Sequence, residues 1–279
     1  MDMIHEIIRW AERENEIRVL ILQGSRAAKA PIDELADYDI SVFCTTSAPY
    51  IQTEDWLTKI GEVWICVKER VSCDGKVFPT RLVIFDGGIK VDFSFFSLEY
   101  LDRMVKGQLS DECNRGYQVL LDKDNLAQPL PKPDYKEPRA QKPSKREFLE
   151  TIEEFWFEAY HVAIYLKRED LWSVKFRSNA MHGFLLRMIE WEAQARNGWK
   201  QAVPPIGKRM TSWVQPSVLQ ELERVFAHFD IEDSWDALLH TVTLFGRLAV
   251  DLSRQLGFDY PKAMDKNISE FILKLRERR

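Results

Sequence analysis

The chain has no run of apolar residues approaching the ~18 needed to cross a bilayer as a helix, so no membrane span is expected. Cysteine is sparse. Cys44, Cys66, Cys73 and Cys113 include no Cys-x-x-Cys pair, and their neighbours lack the histidine pattern of a zinc site, which argues against a structural zinc module. Cys44 and Cys66 sit in apolar runs and read as buried thiols, and a reducing cytoplasm is the expected setting. An excess of positive charge is also missing. Thirty-nine Lys+Arg stand against 44 Asp+Glu, a net charge of -5. Proteins that track long nucleic acids draw much of their affinity from basic surfaces, so a polynucleotide partner is disfavoured. A small cationic partner is compatible with this balance. The opening Met1-Asp2-Met3-Ile4-His5-Glu6 is too acidic and too soon amphipathic for a secretion signal. No internal repeat or low-complexity run is found.

What remains is the composition of a folded protein: 45% hydrophobic and 30% charged residues over 279 positions, enough for two domains. Ile4, Ile7, Ile8 and Ala11 recur at helical spacing and predict an amphipathic helix over 3–14. Ile17 to Leu22 is a compact apolar strand ended by Gly24. Tyr38, Ile40, Val42 and Cys44 alternate with Asp37, Asp39, Ser41 and Phe43, predicting a strand with one apolar and one largely polar face. Val63 to Val67 is a further strand. Arg81 to Phe85 and Ile89 to Phe95 flank Asp86-Gly87-Gly88, a hairpin signal in which Asp86 is a turn residue. In the second arm Ile89, Val91, Phe93 and Phe95 share one face, and Lys90, Asp92 and Ser94 the other. Ser97 caps a short helix ending near Gly107.

Pro129, Pro131, Pro133, Pro138 and Pro143 then interrupt a charged stretch. Proline lacks a backbone donor and resists helix and sheet, so 131–143 reads as a linker between a domain over 1–130 and a second over 144–279. Beyond it the period is helical. Ser144 and Glu147 form a capping box for a helix running toward Arg168. Residues 173–196, 216–228, 232–256 and 263–277 read as further helices, with Gly257 and Pro261 separating the last pair. The expected class is α+β: a mixed sheet with flanking helices, then an all-α bundle.

The chemistry is concentrated in the first part. Residues i and i+2 of a strand point the same way, ~6.5–7 Å apart, so Asp37 and Asp39 can grip one hard cation. Asp92, on the polar face of the hairpin arm, can complete the site. Three carboxylates suit two Mg²⁺ ions, which take oxygen ligands and leave positions open for phosphate. Paired ions ~3.5–4 Å apart clamp both ends of an in-line displacement at phosphorus. Gly24 lets backbone N–H groups approach phosphate oxygens, Ser25 adds a hydroxyl and Arg26 adds charge. A Gly-Ser turn alone, or an Asp-x-Asp alone, is ordinary surface. Their conjunction with Asp92 on a hairpin points to nucleotidyl transfer from a nucleoside triphosphate.

These residues carry a family resemblance. Gly24-Ser25-Arg26, Asp37-Tyr38-Asp39-Ile40, and Phe85-Asp86-Gly87 leading to Val91-Asp92-Phe93 resemble the aminoglycoside 6-adenylyltransferases, the streptomycin adenylyltransferases, within the polymerase-β-type nucleotidyltransferases. The similarity continues through Leu121-Asp122-Lys123-Asp124, Glu154-Phe155-Trp156, Leu186-Arg187-Met188-Ile189-Glu190-Trp191 and Gly207-Lys208. It ends with Trp235-Asp236-Ala237-Leu238, Leu244-Phe245, Tyr260-Pro261 and Asp265. It implies a polymerase-β-like N-terminal fold, a helical substrate-binding domain, ATP, Mg²⁺, and release of pyrophosphate with an O-adenylylated antibiotic. By the same resemblance Asp37, Asp39 and Asp92 are the catalytic carboxylates, with Asp92 either a metal ligand or the general base. Gly24, Ser25 and Lys208 meet the triphosphate. Two stretches depart from the family pattern: His161-Val162-Ala163-Ile164 stands where Tyr-Val-Ala-Lys is common, and no Gln-x-Pro-Glu occurs near Lys68-Glu69-Arg70.

A polycationic acceptor calls for carboxylates and aromatic faces. Glu150, Glu153, Glu154 and Glu158 lie on the first bundle helix with Trp156 and Tyr160, and Glu154 and Glu158 are spaced to share a face. Glu154, Trp156 and Tyr160 are the expected acceptor residues. Trp156 also has the spacing of a core residue, beside Phe155 and Ile152. His182 is a candidate for the same pocket, although a lone histidine is more often structural. Transfer to another small acceptor, such as a lincosamide, and a non-catalytic nucleotide-binding relative are the competing readings. Retention of all three aspartates speaks against the second.

Overall fold

The computed structural model describes residues 2–28, 34–136 and 139–277. The chain divides into two compact units, Met1–Lys136 and Glu137–Arg279.

In the first unit, α1 (Met3–Arg13) leads into β1 (Ile17–Gln23), a 3-10 turn at Gly24–Arg26, and β2 (Tyr38–Cys44). A short helix α2 (Ala48–Gln52) precedes the hairpin of β3 (Val63–Cys73) and β4 (Lys76–Phe85). The tight turn Asp86–Gly88 returns the chain as β5 (Ile89–Ser97), and Gly87 there has φ +78°, a backbone region open to glycine. Then follow α3 (Leu98–Val105), α4 (Asp111–Arg115) and β6 (Gln118–Asp122). The Ser97 hydroxyl accepts from Tyr100 N, as the sequence predicts.

These strands form one sheet in the order β3-β4-β5-β2-β1-β6. β2 and β5 run parallel and the other neighbours antiparallel. Side chains alternate across each strand. Ile17, Leu20, Leu22, Ile40, Val42, Val91, Phe93 and Phe95 pack under α1 with Ile7 and Trp10. Val19, Ile21, Phe43 and Phe96 pack on the other face with Tyr100, Leu101 and Met104 of α3.

Several sequence expectations change here. The second face of β2 is not polar along its length: Ser41 and Phe43 are buried, because α3 covers the C-terminal half of that face and leaves open only the end carrying Asp39. β3 continues six residues beyond Val67, since pairing with β4 carries the charged Lys68, Glu69 and Arg70 along an exposed hairpin. β6 was not foreseen; its five residues owe their extended form to pairing with β1. Cys66 is half-buried, and Cys113 joins Cys44 as a buried thiol. Burial pushes the Cys113 thiol up to about 11 and Cys44 to about 12.

The second unit contains α5 (Lys145–Lys167), α6 (Leu171–Arg196), α7 (Pro216–Leu222), α8 (Ile231–Leu256) and α9 (Lys262–Glu277). The Ser144/Glu147 capping box forms as expected. Gly257 ends α8 at φ +72°. The core stacks Phe155 of α5 on Phe245 of α8 at 3.5 Å between ring centroids, with Trp156 and Trp235 buried beside them. α7 stops six residues short of the predicted 228. Lys175 Nζ on α6 binds the Ala227 carbonyl at 3.0 Å and also that of His228, fixing these carbonyls in a turn. Among the described residues no helix is long and apolar enough to cross a membrane.

Candidate active site

Register brings the aspartates together. In the parallel pair β2–β5, Asp39 lies directly opposite Asp92, and paired residues of neighbouring strands point to the same face. Asp37 precedes Asp39 by two residues and projects to that side. One carboxylate oxygen from each of Asp37, Asp39 and Asp92 falls within 4.8 Å of the others.

Gly24 forms the adjoining wall. It is the first residue after β1, has φ +70°, and its Cα lies against the Asp39 carboxylate with no room for a side chain. Its carbonyl accepts from Ala28 N at 3.0 Å, closing the turn. Ser25 is exposed at that turn. Arg26 has a role within the fold itself. Its guanidinium donates to the carbonyls of Ala36 (2.6 and 2.9 Å), Asp37 (3.2 Å) and Glu34 (3.3 Å), and lies 4.0 Å over the Tyr38 ring. Through Nε and Nη2, Arg26 thus holds the segment that carries Asp37.

The sequence reading also missed Lys90. Two residues before Asp92 on the same face of β5, its Nζ donates to Asp37 Oδ2 at 2.8 Å and Asp92 Oδ2 at 2.7 Å. The only hint in the sequence was the shared polar face of Lys90 and Asp92. Asp92 Oδ1 is enclosed and has no hydrogen-bond partner. Burial, and then the charges of Asp37 and Asp92, push the Asp39 carboxyl up to about 6. Burial likewise raises Asp92, against the pull of Lys90. Burial acts to lower the Lys90 ammonium, but its two hydrogen bonds outweigh this and raise it.

An all-oxygen donor set with an orphaned, enclosed carboxylate oxygen fits a hard divalent cation. A cavity of about 230 Å³ opens beside Asp39 and Asp92, with Glu69 of β3, Glu112 of α4 and Gln23 in its walls. Glu69 and Glu112 were not read as site residues, because only folding brings β3 and α4 to the strand ends.

The residues expected to meet the acceptor divide on α5. Glu154 is exposed and Tyr160 is 39% exposed, its ring stacked on Phe271 at 5.2 Å. Trp156 is 1% exposed within the bundle core, so it packs rather than presenting a face to a ligand. Glu158 is also buried and is bound to Arg177 at 3.0 Å, so it does not extend an acidic wall from Glu154. His182 is largely enclosed in a small cavity beside Phe226, 4.6 Å between rings, and burial lowers it to about 4. Lys208 is exposed just after Gly207, and its carbonyl accepts from Trp213 Nε1 at 2.9 Å.

The family profile of streptomycin adenylyltransferase matches residues 1–275. The chain belongs to that family, one of nucleotidyltransferases. Among its relatives, the aminoglycoside 6-adenylyltransferase of Campylobacter jejuni is 25% identical over 98% of this chain and 94% of its own length. Those of Bacillus subtilis (97% and 95%) and Staphylococcus aureus (97% and 96%) are also 25% identical. A crystal structure of an aminoglycoside 6-adenyltransferase from Bacillus subtilis covers 99% of this chain at 22% identity, with a TM-score of 0.47.

Proposed function

We propose that this nucleotidyltransferase moves AMP from ATP to a hydroxyl of an aminoglycoside such as streptomycin, with Mg²⁺, and releases pyrophosphate. The observation that carries the reading is the convergence of Asp37 and Asp39, at the start of β2, with Asp92 on the neighbouring parallel strand β5, within a chain of the streptomycin adenylyltransferase family.

Asp37, Asp39 and Asp92 would hold the metal. When bound, divalent ions supply Lewis acidity at the α-phosphate and neutralise charge on the leaving pyrophosphate. The Gly24-Ser25 turn offers backbone N–H groups and a hydroxyl to the triphosphate, and Arg26 keeps Asp37 in place from behind. Asp92 has one oxygen on Lys90 and one without a partner, so it can ligate or accept the acceptor's proton. Lys208 is a further triphosphate contact by family resemblance. For a cationic acceptor, Glu154 and Tyr160 stay accessible on the helical unit, while Glu69 and Glu112 place negative charge beside the aspartates. A cytoplasmic setting suits ATP and the four free thiols.

The test is pyrophosphate release from ATP and Mg²⁺ with streptomycin, other aminoglycosides and a lincosamide. Turnover with streptomycin, abolished by Asp39→Asn, is the expected result. Turnover with none of the aminoglycosides would overturn the acceptor assignment.

A further inference from the structure

Lys90 sits among the groups that a metal needs. Its ammonium spans Asp37 and Asp92 through one oxygen of each and leaves Asp92 Oδ1 enclosed and unpartnered. Lysine is a compact point charge on a flexible stem, suited to neutralising a carboxylate pair and to leaving it. Without it three carboxylates would crowd within 4.8 Å, a strongly repulsive arrangement. Glu69 and Glu112 add negative charge from the flanks, acting on Asp92 and Asp39 respectively.

A dication among these aspartates and an ammonium bound to two of them repel each other strongly at such distances, even at the effective dielectric of a protein surface. From this we infer that Lys90 is a positioning residue that serves as the resident cation of the site. It holds Asp37 and Asp92 in ligating positions before metal arrives, competes with free divalent ions for them, and yields most readily to metal that enters with a triphosphate. The triphosphate's negative charge receives the displaced ammonium. This rests on the metal-site reading above.

The experiment is a Mn²⁺ titration of the full chain, followed by electron paramagnetic resonance, with and without a non-hydrolysable ATP analogue. Lys90→Met keeps the stem and removes the charge; Lys90→Gln is a second neutral variant, and Lys90→Arg restores a cation. Circular dichroism and melting temperature identify variants that fold. Without nucleotide, the neutral variants should bind Mn²⁺ at least about tenfold more tightly than the wild type, while Lys90→Arg stays near it. With the analogue present the gap should narrow. Folded neutral variants that bind Mn²⁺ equally or more weakly would overturn the competition, while leaving the metal site standing. Absence of Mn²⁺ binding in wild type and variants alike would overturn the metal-site reading itself.

Discussion

Gly24 and Asp39 are in direct apposition: a β-carbon at position 24 would lie 2.8 Å from Asp39 Cγ and overlap its Oδ2. The contact follows from strand pairing, because Gln23, the residue before Gly24, is the register partner of Asp39. The glycine is therefore required twice, for its φ of +70° and for the space that its missing side chain leaves to the carboxylate.

Gly24→Ala should displace Asp39 from the cluster. A shift of about 1 Å in a reacting group can cost about 100-fold in rate, so pyrophosphate release should fall by at least that much. The fold should lose only about 1 kcal/mol, from the strained backbone. Parallel measurements of turnover and melting temperature check both expectations. Near-normal turnover would show that Asp39 adjusts without consequence.

Asp39→Asn should abolish transfer and yet stabilise the metal-free protein. On the proposed metal site, losing Asp39 as a ligand removes several kcal/mol of transition-state stabilisation, about 10³-fold or more in rate. The Asp39 carboxyl is raised to about 6 from an ordinary 3.8. Its favourable contribution is therefore complete below about pH 4 and is lost as pH rises through 6. At pH 7.5 the charged form is a liability that asparagine removes. After allowance for partial solvent exposure, the gain is on the order of 1 kcal/mol. Thermal melts without metal at pH 7.5 and pH 5 should show the variant's advantage shrinking at the lower pH.

Trp156→Ala separates packing from acceptor binding. Removing a fully buried indole from beside Phe155 should cost about 3–5 kcal/mol of stability. Urea unfolding of the variant measures it. A stable variant with only a raised KM for the acceptor would restore the binding role first expected of Trp156.

His182 gives the helical unit a sensitivity to acid. Its imidazole is lowered to about 4 by burial, against 6.5 for an ordinary histidine. Above pH 6.5 folded and unfolded forms are both neutral and the group has no effect. As pH falls from 6.5 toward 4, the unfolded chain takes up the proton first, and stability drops by about 1–3 kcal/mol. His182→Leu should flatten this part of the stability–pH curve measured by urea unfolding; an unchanged slope would assign the acid sensitivity elsewhere.

Much of the site can be read along the chain because its signals are local. The i, i+2 spacing of Asp37 and Asp39, the glycine after an apolar strand, the Asp86-Gly87-Gly88 turn and the Ser144/Glu147 capping box each depend on a few neighbouring residues. The alternation that puts Lys90 and Asp92 on one face of β5 is equally local. The sequence by itself therefore determined the mixed sheet, the helical second half and which three aspartates converge.

Tertiary structure decided what depends on which strands are neighbours and which faces are covered. That β2 and β5 run side by side in parallel, 53 residues apart between Asp39 and Asp92, sets those two aspartates opposite each other. The same pairing allows Lys90 to reach Asp37. Packing put Trp156 inside and tied Glu158 to Arg177, because α5 packs against α6, α8 and α9 and so buries side chains that periodicity alone leaves ambiguous. The fold of the 34–37 segment gave Arg26 a supporting role there, since backbone carbonyls need donors and the guanidinium was within reach. Long-range pairing and burial are collective properties of the folded chain, and no window of sequence holds them.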